Sequence, residues 1–227
     1  MEKKIILAIE TSGKVCSVAL AMFCNLDGIL KYELIAEYSI YIGNKHDRFC
    51  AELCNRIIKD NNYDISQIDA IAVSIGPGSW TGLRIGVSIA KGIAFDIENI
   101  IPLIAVPTLS ALSYNAIPFA KMLDANILSI ISSHSNLVYY QFFDKTGKQL
   151  LEAELISLDL LSEKYSNENI IITTNYLIDI NFGKYFPNLS YITADTIAQL
   201  ATKMYLNNEI TNSIDIQPLY IQDFIVK

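Results

Sequence analysis

The sequence predicts an α/β protein with two related halves, and three observations predict it. Hydrophobic residues make up 52% of the 227-residue chain and charged residues 18%, a balance that suits a well-buried fold and not a disordered chain. Short apolar runs of strand length alternate with stretches of helical spacing. A strand hairpin followed by helices occurs in both halves, which suggests a duplicated architecture.

Residues 4–9 form an apolar strand, Glu10-Thr11-Ser12-Gly13-Lys14 a polar turn, and residues 15–23 a second strand. A third strand over 29–42 mixes Tyr, Ile and Leu with Lys31, Glu33 and Glu37. Phe49, Leu53, Arg56 and Ile57 then give the spacing of a helix over 46–61. A short strand over 69–75 leads into Gly76-Pro77-Gly78-Ser79-Trp80-Thr81-Gly82-Leu83-Arg84-Ile85-Gly86. In the helix that follows, over 80–96, Gly82, Gly86 and Ala90 stand four apart in a stripe poor in side chains, beside an apolar stripe of Ile85, Ile89 and Ile93. Residues 103–106 are a strand, Pro107 a break, and Thr108 caps a helix that reaches 115. Beyond Pro118 the pattern restarts with strands at 127–132, 137–143 and 149–156, a short helix at 159–165, a strand at 169–173, and a helix from Thr193 or Asp195 to Leu206. The expected domains are 1–110, which carries the glycine signature, and a smaller, more divergent 111–227.

The glycine run is shaped for close approach, since glycine has no Cβ and Ser79 or Thr81 can cap the helix behind it. It is neither of the common nucleotide loops. A P-loop needs Gly-Lys-Ser/Thr five residues after its first glycine, where Gly76 meets Thr81 and Gly78 meets Leu83. A dinucleotide fingerprint needs a third glycine at position 81, again Thr.

Net charge −7 opposes direct nucleic-acid binding, which rests on clustered Lys and Arg. Cys16, Cys50, Cys54 and Cys24 form no CxxC pair and read as reduced, buried residues of a cytoplasmic protein. Lys3-Lys4 before Ile5 to Ile9 imitates a signal peptide until Glu10 ends the apolar run, and no run reaches membrane-spanning length. His46, Cys50 and Cys54 share a helical face but spread over ~12 Å, too far for one zinc ion bound at about 2 Å. A serine hydrolase is excluded because Gly78-Ser79-Trp80-Thr81-Gly82 lacks the central serine of a nucleophile elbow.

Ile9-Glu10-Thr11-Ser12 with Cys16-Ser17-Val18-Ala19-Leu20, followed some sixty residues later by the glycine run, resembles the TsaB family, also called YeaZ. His46-Asp47-Arg48, Val106-Pro107-Thr108 and Gln217-Pro218-Leu219-Tyr220-Ile221 extend the resemblance. The resemblance implies a two-lobed actin-like, Hsp70-like and sugar-kinase-like (ribonuclease H-like) fold. It further implies a non-catalytic subunit that works with a TsaD-like catalytic paralogue and a TsaE-like ATPase to place threonylcarbamoyl on N6 of adenosine 37 in tRNAs reading codons that start with A. The paralogue's metal-binding His-x-x-x-His pair falls at Thr108 and Leu112 here, so neither a catalytic residue nor a metal site is expected in this chain.

The same resemblance sets the remaining expectations. Glu10, Thr11 and Ser12 would face a cleft where hydroxyls and N–H groups meet a nucleotide, with ATP or ADP bound at the partner interface and no cofactor intrinsic to the chain. Family members pair through the helices at 46–61 and 80–96, either with TsaD or with a second copy, and Leu53, Ile57, Gly82, Arg84, Gly86, Val87 and Ala90 are the interface candidates. tRNA would be reached only through the complex. The family's Asp-Ala-Arg turn is replaced by Ser132-Ser133-His134-Ser135-Asn136, and its later glycine-rich turn by Thr173-Thr174-Asn175, which puts second-lobe contacts in doubt. The alternative is a stand-alone nucleotide-dependent phosphotransferase of the same fold, which would have to use Glu10.

Overall fold

The computed structural model describes residues 2–41, 46–95, 100–176, 181–186, 192–211 and 215–221, so the strand end expected at 42 and the helix end expected at 96 lie outside the described residues. Its first sheet follows from one continuous hydrophobic strand, β1 (Lys4–Glu10), buried from Ile5 to Glu10. Such a strand needs cover on both faces. β1 pairs antiparallel with β2 (Cys16–Leu26), which pairs antiparallel with β3 (Ile29–Ile40). On its other side β1 runs parallel to β4 (Ala70–Gly76), and β5 (Leu103–Pro107) completes the order β3-β2-β1-β4-β5.

Alternation decides which helix covers which face. Ile5, Leu7 and Ile9 join Val18, Leu20 and Val73 in one apolar cluster with Cys50, Cys54 and Ile57 of α1 (His46–Asp60) and Val87, Ala90 and Ala94 of α2 (Trp80–Ala94). The alternate residues face α5 (Ala194–Leu206), where Phe23 meets Tyr205 edge-on with centroids 5.3 Å apart. The N-cap residue Thr193 makes no side-chain cap bond. The sheet does that work: Ser17 Oγ accepts Ala194 N–H at 2.8 Å, and Glu37 Oε1 accepts Asp195 N–H at 3.0 Å. Tyr32 OH donates to Asp195 Oδ1 at 2.6 Å.

A second sheet has the order β10-β9-β6-β7-β8, made of β6 (Asn126–Ser132), β7 (Leu137–Phe143), β8 (Glu154–Ser157), β9 (Ile170–Thr174) and β10 (Lys184–Tyr185). β6 pairs antiparallel with β7 and β7 with β8, while β6 with β9 and β9 with β10 run parallel. Read from β8, this is the order of the first sheet again. α3 (Thr108–Leu123) covers β6 and β9, and α4 (Leu158–Tyr165) packs beside β8.

Two compact units result, 1–106 with 193–218 and 107–192 with 219–227. The crossing at 106 falls near the boundary read from sequence, but 193–218 returns to the first unit, because the sheet there supplies the partners for the start of α5. Two element readings are also corrected. α3 continues through Pro118 to Leu123, held by burial of Leu112, Ala116 and Ala120 although proline adds no N–H to the ladder. The strand expected from 149 begins at Glu154, because Asp144 Oδ1 accepts Thr146 and Lys148 N–H groups and folds 144–148 into a turn.

Candidate functional site

The site begins where β1 and β4 end side by side. β1 delivers Glu10, Thr11 and Ser12, and β4 delivers Gly76, whose φ of +112° lies in a region that favours glycine. The two segments are then bound together: Ser79 N–H donates to Ser12 O at 2.7 Å, and Thr11 N–H reaches Ser74 Oγ at 3.5 Å. Ser79 caps α2 as its residue type and position lead one to expect, its Oγ accepting Gly82 N–H at 3.2 Å.

The glycines make this closeness possible. A Cβ on Gly78 would sit 2.5 Å from Ser12 O, one on Gly82 2.1 Å from Thr11 O, and one on Gly86 2.3 Å from Thr11 Oγ1. The bare stripe of α2 therefore lies on the β1–β2 turn of its own unit. This corrects the interface candidates. Gly82, Gly86, Val87 and Ala90 are buried against that turn and the first sheet, as are Leu53 and Ile57 of α1, because both helices turn their small or apolar stripes toward the core. Of the seven candidates, Arg84 alone is exposed.

The turn is likewise closed. Glu10, Thr11 and Ser12 are 1%, 0% and 2% exposed, so their hydroxyls and N–H groups do not open to solvent where a nucleotide could meet them. Glu10 Oε1 accepts Ser12 N–H and Ser12 Oγ–H, both at 2.5 Å. Among the described residues Glu10 Oε2 and Thr11 Oγ1 have no hydrogen-bond partner. Burial pushes the Glu10 carboxyl up to about 7, against the opposing pull of its bonds from Ser12 and Ser74. Behind the turn, the Cys16 thiol is pushed up by its bond with Cys50 and by burial, which makes it an inert core residue. His46 is buried with Nε2 3.3 Å from Val15 O. Among the described residues no group of three or more His, Cys, Asp or Glu side chains could hold a metal ion.

Of what α2 leaves outward, the sequence reading named Arg84 but not the surface it belongs to. Trp80, Thr81, Arg84 and Ser88 form its exposed side, and with Asp47 and Ala51 of α1 they line a shallow groove of about 490 Å³. The Arg84 guanidinium lies 4.6 Å from the Trp80 ring centroid, a cation–π contact that presents a flat, partly apolar plate. A helical wheel carries the signal: once Gly82, Gly86 and Ala90 face inward, positions 80, 81, 84 and 88 must face out. In the second unit the Ser132–Asn136 turn is largely exposed and is tied to α4, with Asn136 Nδ2 donating to Asp159 Oδ2 at 2.7 Å and Leu158 N–H to Asn136 O at 2.9 Å.

Comparison with known proteins gives this geometry a context. Residues 41–203 match the family model described as TsaD: tRNA N6-adenosine threonylcarbamoyltransferase. The chain is similar to the tRNA threonylcarbamoyladenosine biosynthesis protein TsaB of Haemophilus influenzae, 23% identical with 98% of this chain and 95% of that protein covered. It is similar to the Escherichia coli protein of the same name at 31% identity, over 66% of this chain and 59% of that one. A solved structure, YeaZ from Pseudomonas aeruginosa, superposes with a TM-score of 0.74 at 21% identity, covering 96% and 99% of the two chains. That likeness shows the fold, a two-lobed actin-like, ribonuclease H-like α/β architecture.

Proposed function

The chain belongs to the threonylcarbamoyltransferase family and, within it, to the TsaB (YeaZ) group, and from that premise we propose that it serves tRNA threonylcarbamoyladenosine biosynthesis as a non-catalytic subunit. The observation that carries this reading is the division of α2 into two faces. Its glycine face is used up inside the first unit, while Trp80, Thr81, Arg84 and Ser88 remain as a plate beside α1. A TsaD-like catalytic subunit docks on this plate, and a second copy of the chain takes its place when that subunit is absent. A TsaE-like ATPase completes the assembly, and ATP or ADP binds at the partner interface.

Two further facts support the division of labour. The positions that the family resemblance assigns to the catalytic paralogue's metal-binding histidines hold Thr108 and Leu112, both fully buried on α3. The net charge of −7 leaves tRNA contact to the partner. The phosphotransferase alternative needs an accessible carboxylate, and Glu10 is 1% exposed.

Reconstitution tests the reading. The purified chain should show no threonylcarbamoyl transfer alone and restore it when added to TsaD-like and TsaE-like proteins. Trp80→Ala and Arg84→Glu should each weaken co-purification of the TsaD-like partner about tenfold or more. Full transfer by the partners without this chain would refute the proposal.

A further inference from the structure

Glu10 ends β1 with its two oxygens unequally used. Oε1 takes two hydrogen bonds from Ser12, and Oε2 takes none among the described residues. The constraint passes onward. Ser12 O accepts Ser79 N–H at 2.7 Å, Ser79 Oγ accepts Gly82 N–H at 3.2 Å, and Ser79 O accepts Leu83 N–H at 2.9 Å. One hydrogen-bond chain thus joins a buried carboxyl to the first turn of α2, the turn that bears Trp80 and Thr81 and leads directly into Arg84.

We propose that Glu10 is a proton-operated latch: protonated, it lets the signature turn hold the first turn of α2 firmly, and ionised, it loosens that hold and with it the docking plate. The groups around it supply no compensating charge. From β2 come Ser17, opposite Glu10 in register, and the Cys16 thiol; from β4 comes the Ser74 hydroxyl. α1 offers the Cys50 thiol, whose bond to Cys16 pulls it down while its bond to Cys54 and its burial push it up, and the His46 ring, which meets Val15 O. α2 offers glycines to the turn. On the α5 side the first two N–H groups are taken by Ser17 and Glu37, and Asp195 is engaged by Tyr32 and Gln199. Lys14 of the turn is exposed.

The ionised form therefore leaves a charge with one bare oxygen in a dry interior, and opening the turn hydrates it. Burial raises the closed-state carboxyl to about 7 from an ordinary 4.5, so opening becomes easier as pH rises through that range. Regulation of docking rests on the function proposed above; the proton linkage of the turn itself does not.

Amide hydrogen exchange of Ser12, Ser79, Gly82 and Leu83 in the full chain, corrected for the intrinsic rate, tests the latch. The opening constant should rise about tenfold between pH 6 and pH 8 in the wild type and stay level in Glu10→Gln. A level wild-type profile, or the same rise in Glu10→Gln, overturns it. Should Glu10→Gln not fold, carboxyl titration by NMR in the wild type decides, a midpoint near 7 supporting the latch and one below 6 overturning it. With the TsaD-like partner, affinity should fall over the same pH range. Linked opening with pH-independent affinity overturns the regulation, whereas no binding even at pH 6 overturns the docking function and leaves the latch standing.

Discussion

Gly82 and Gly92 occupy the same helix and meet opposite surroundings. A Cβ at Gly82 would lie 2.1 Å from the Thr11 carbonyl oxygen, and one at Gly92 meets nothing within 4 Å. Gly82→Ala should cost about 3 kcal/mol or prevent folding, because backbone must shift to admit it. Gly92→Ala should raise stability by about 0.5–1 kcal/mol through helix propensity. Paired urea denaturation checks both. Glu10 gives a residue-level pH effect whose sign is fixed by burial. Its folded-state value is raised from 4.5 to about 7, so the fold binds the proton better than the unfolded chain does. The stability this contributes is fully present below pH 4.5 and is lost as pH rises through 7, on the order of 3 kcal/mol. Subtracting the Glu10→Gln stability curve from the wild-type curve isolates it, and a difference independent of pH between 4.5 and 8 would refute the assignment. Neither behaviour was legible in the sequence, where Glu10 reads as part of a polar turn facing a cleft.

At the scale of elements, the sequence placed most strands and helices within a residue or two, because their periodicities are strong. It broke α3 at Pro118 because local propensity forbids proline inside a helix, while burial of Leu112, Ala116 and Ala120 overrides that preference. The start of α5 was legible, but its capping groups were not, since Ser17 and Glu37 lie more than 150 residues away in the chain. Ser17→Ala removes a fully buried acceptor and should cost about 1–2 kcal/mol, read by thermal unfolding followed at α5. Trp80→Ala, on the outer face of α2, should change stability by about 0.5 kcal/mol or less while it weakens partner capture.

For the whole molecule, the repeated strand order shows duplication that residue identity alone could not establish. The helix that follows each sheet along the chain belongs to the unit of the other sheet: α3 follows β5 and covers β6 and β9 of its own unit, while α5 follows β10 and covers β1 and β2 of its own. A chain ended at 106 lacks the cover for Phe23 and Ser17 and should stay unfolded by circular dichroism. Supplying 193–218 as a tethered segment should restore cooperative unfolding. The sequence by itself determined the α/β class and the strand-to-glycine-to-helix signature, since both rest on spacing along the chain, and the resemblance of its signature segments pointed to the family. Only the tertiary structure decided that the glycine stripe meets Thr11, that Glu10 is sealed, and that 193–218 returns to the first sheet. Periodicity states which residues share a face, and the fold alone brings up the distant chain that meets it.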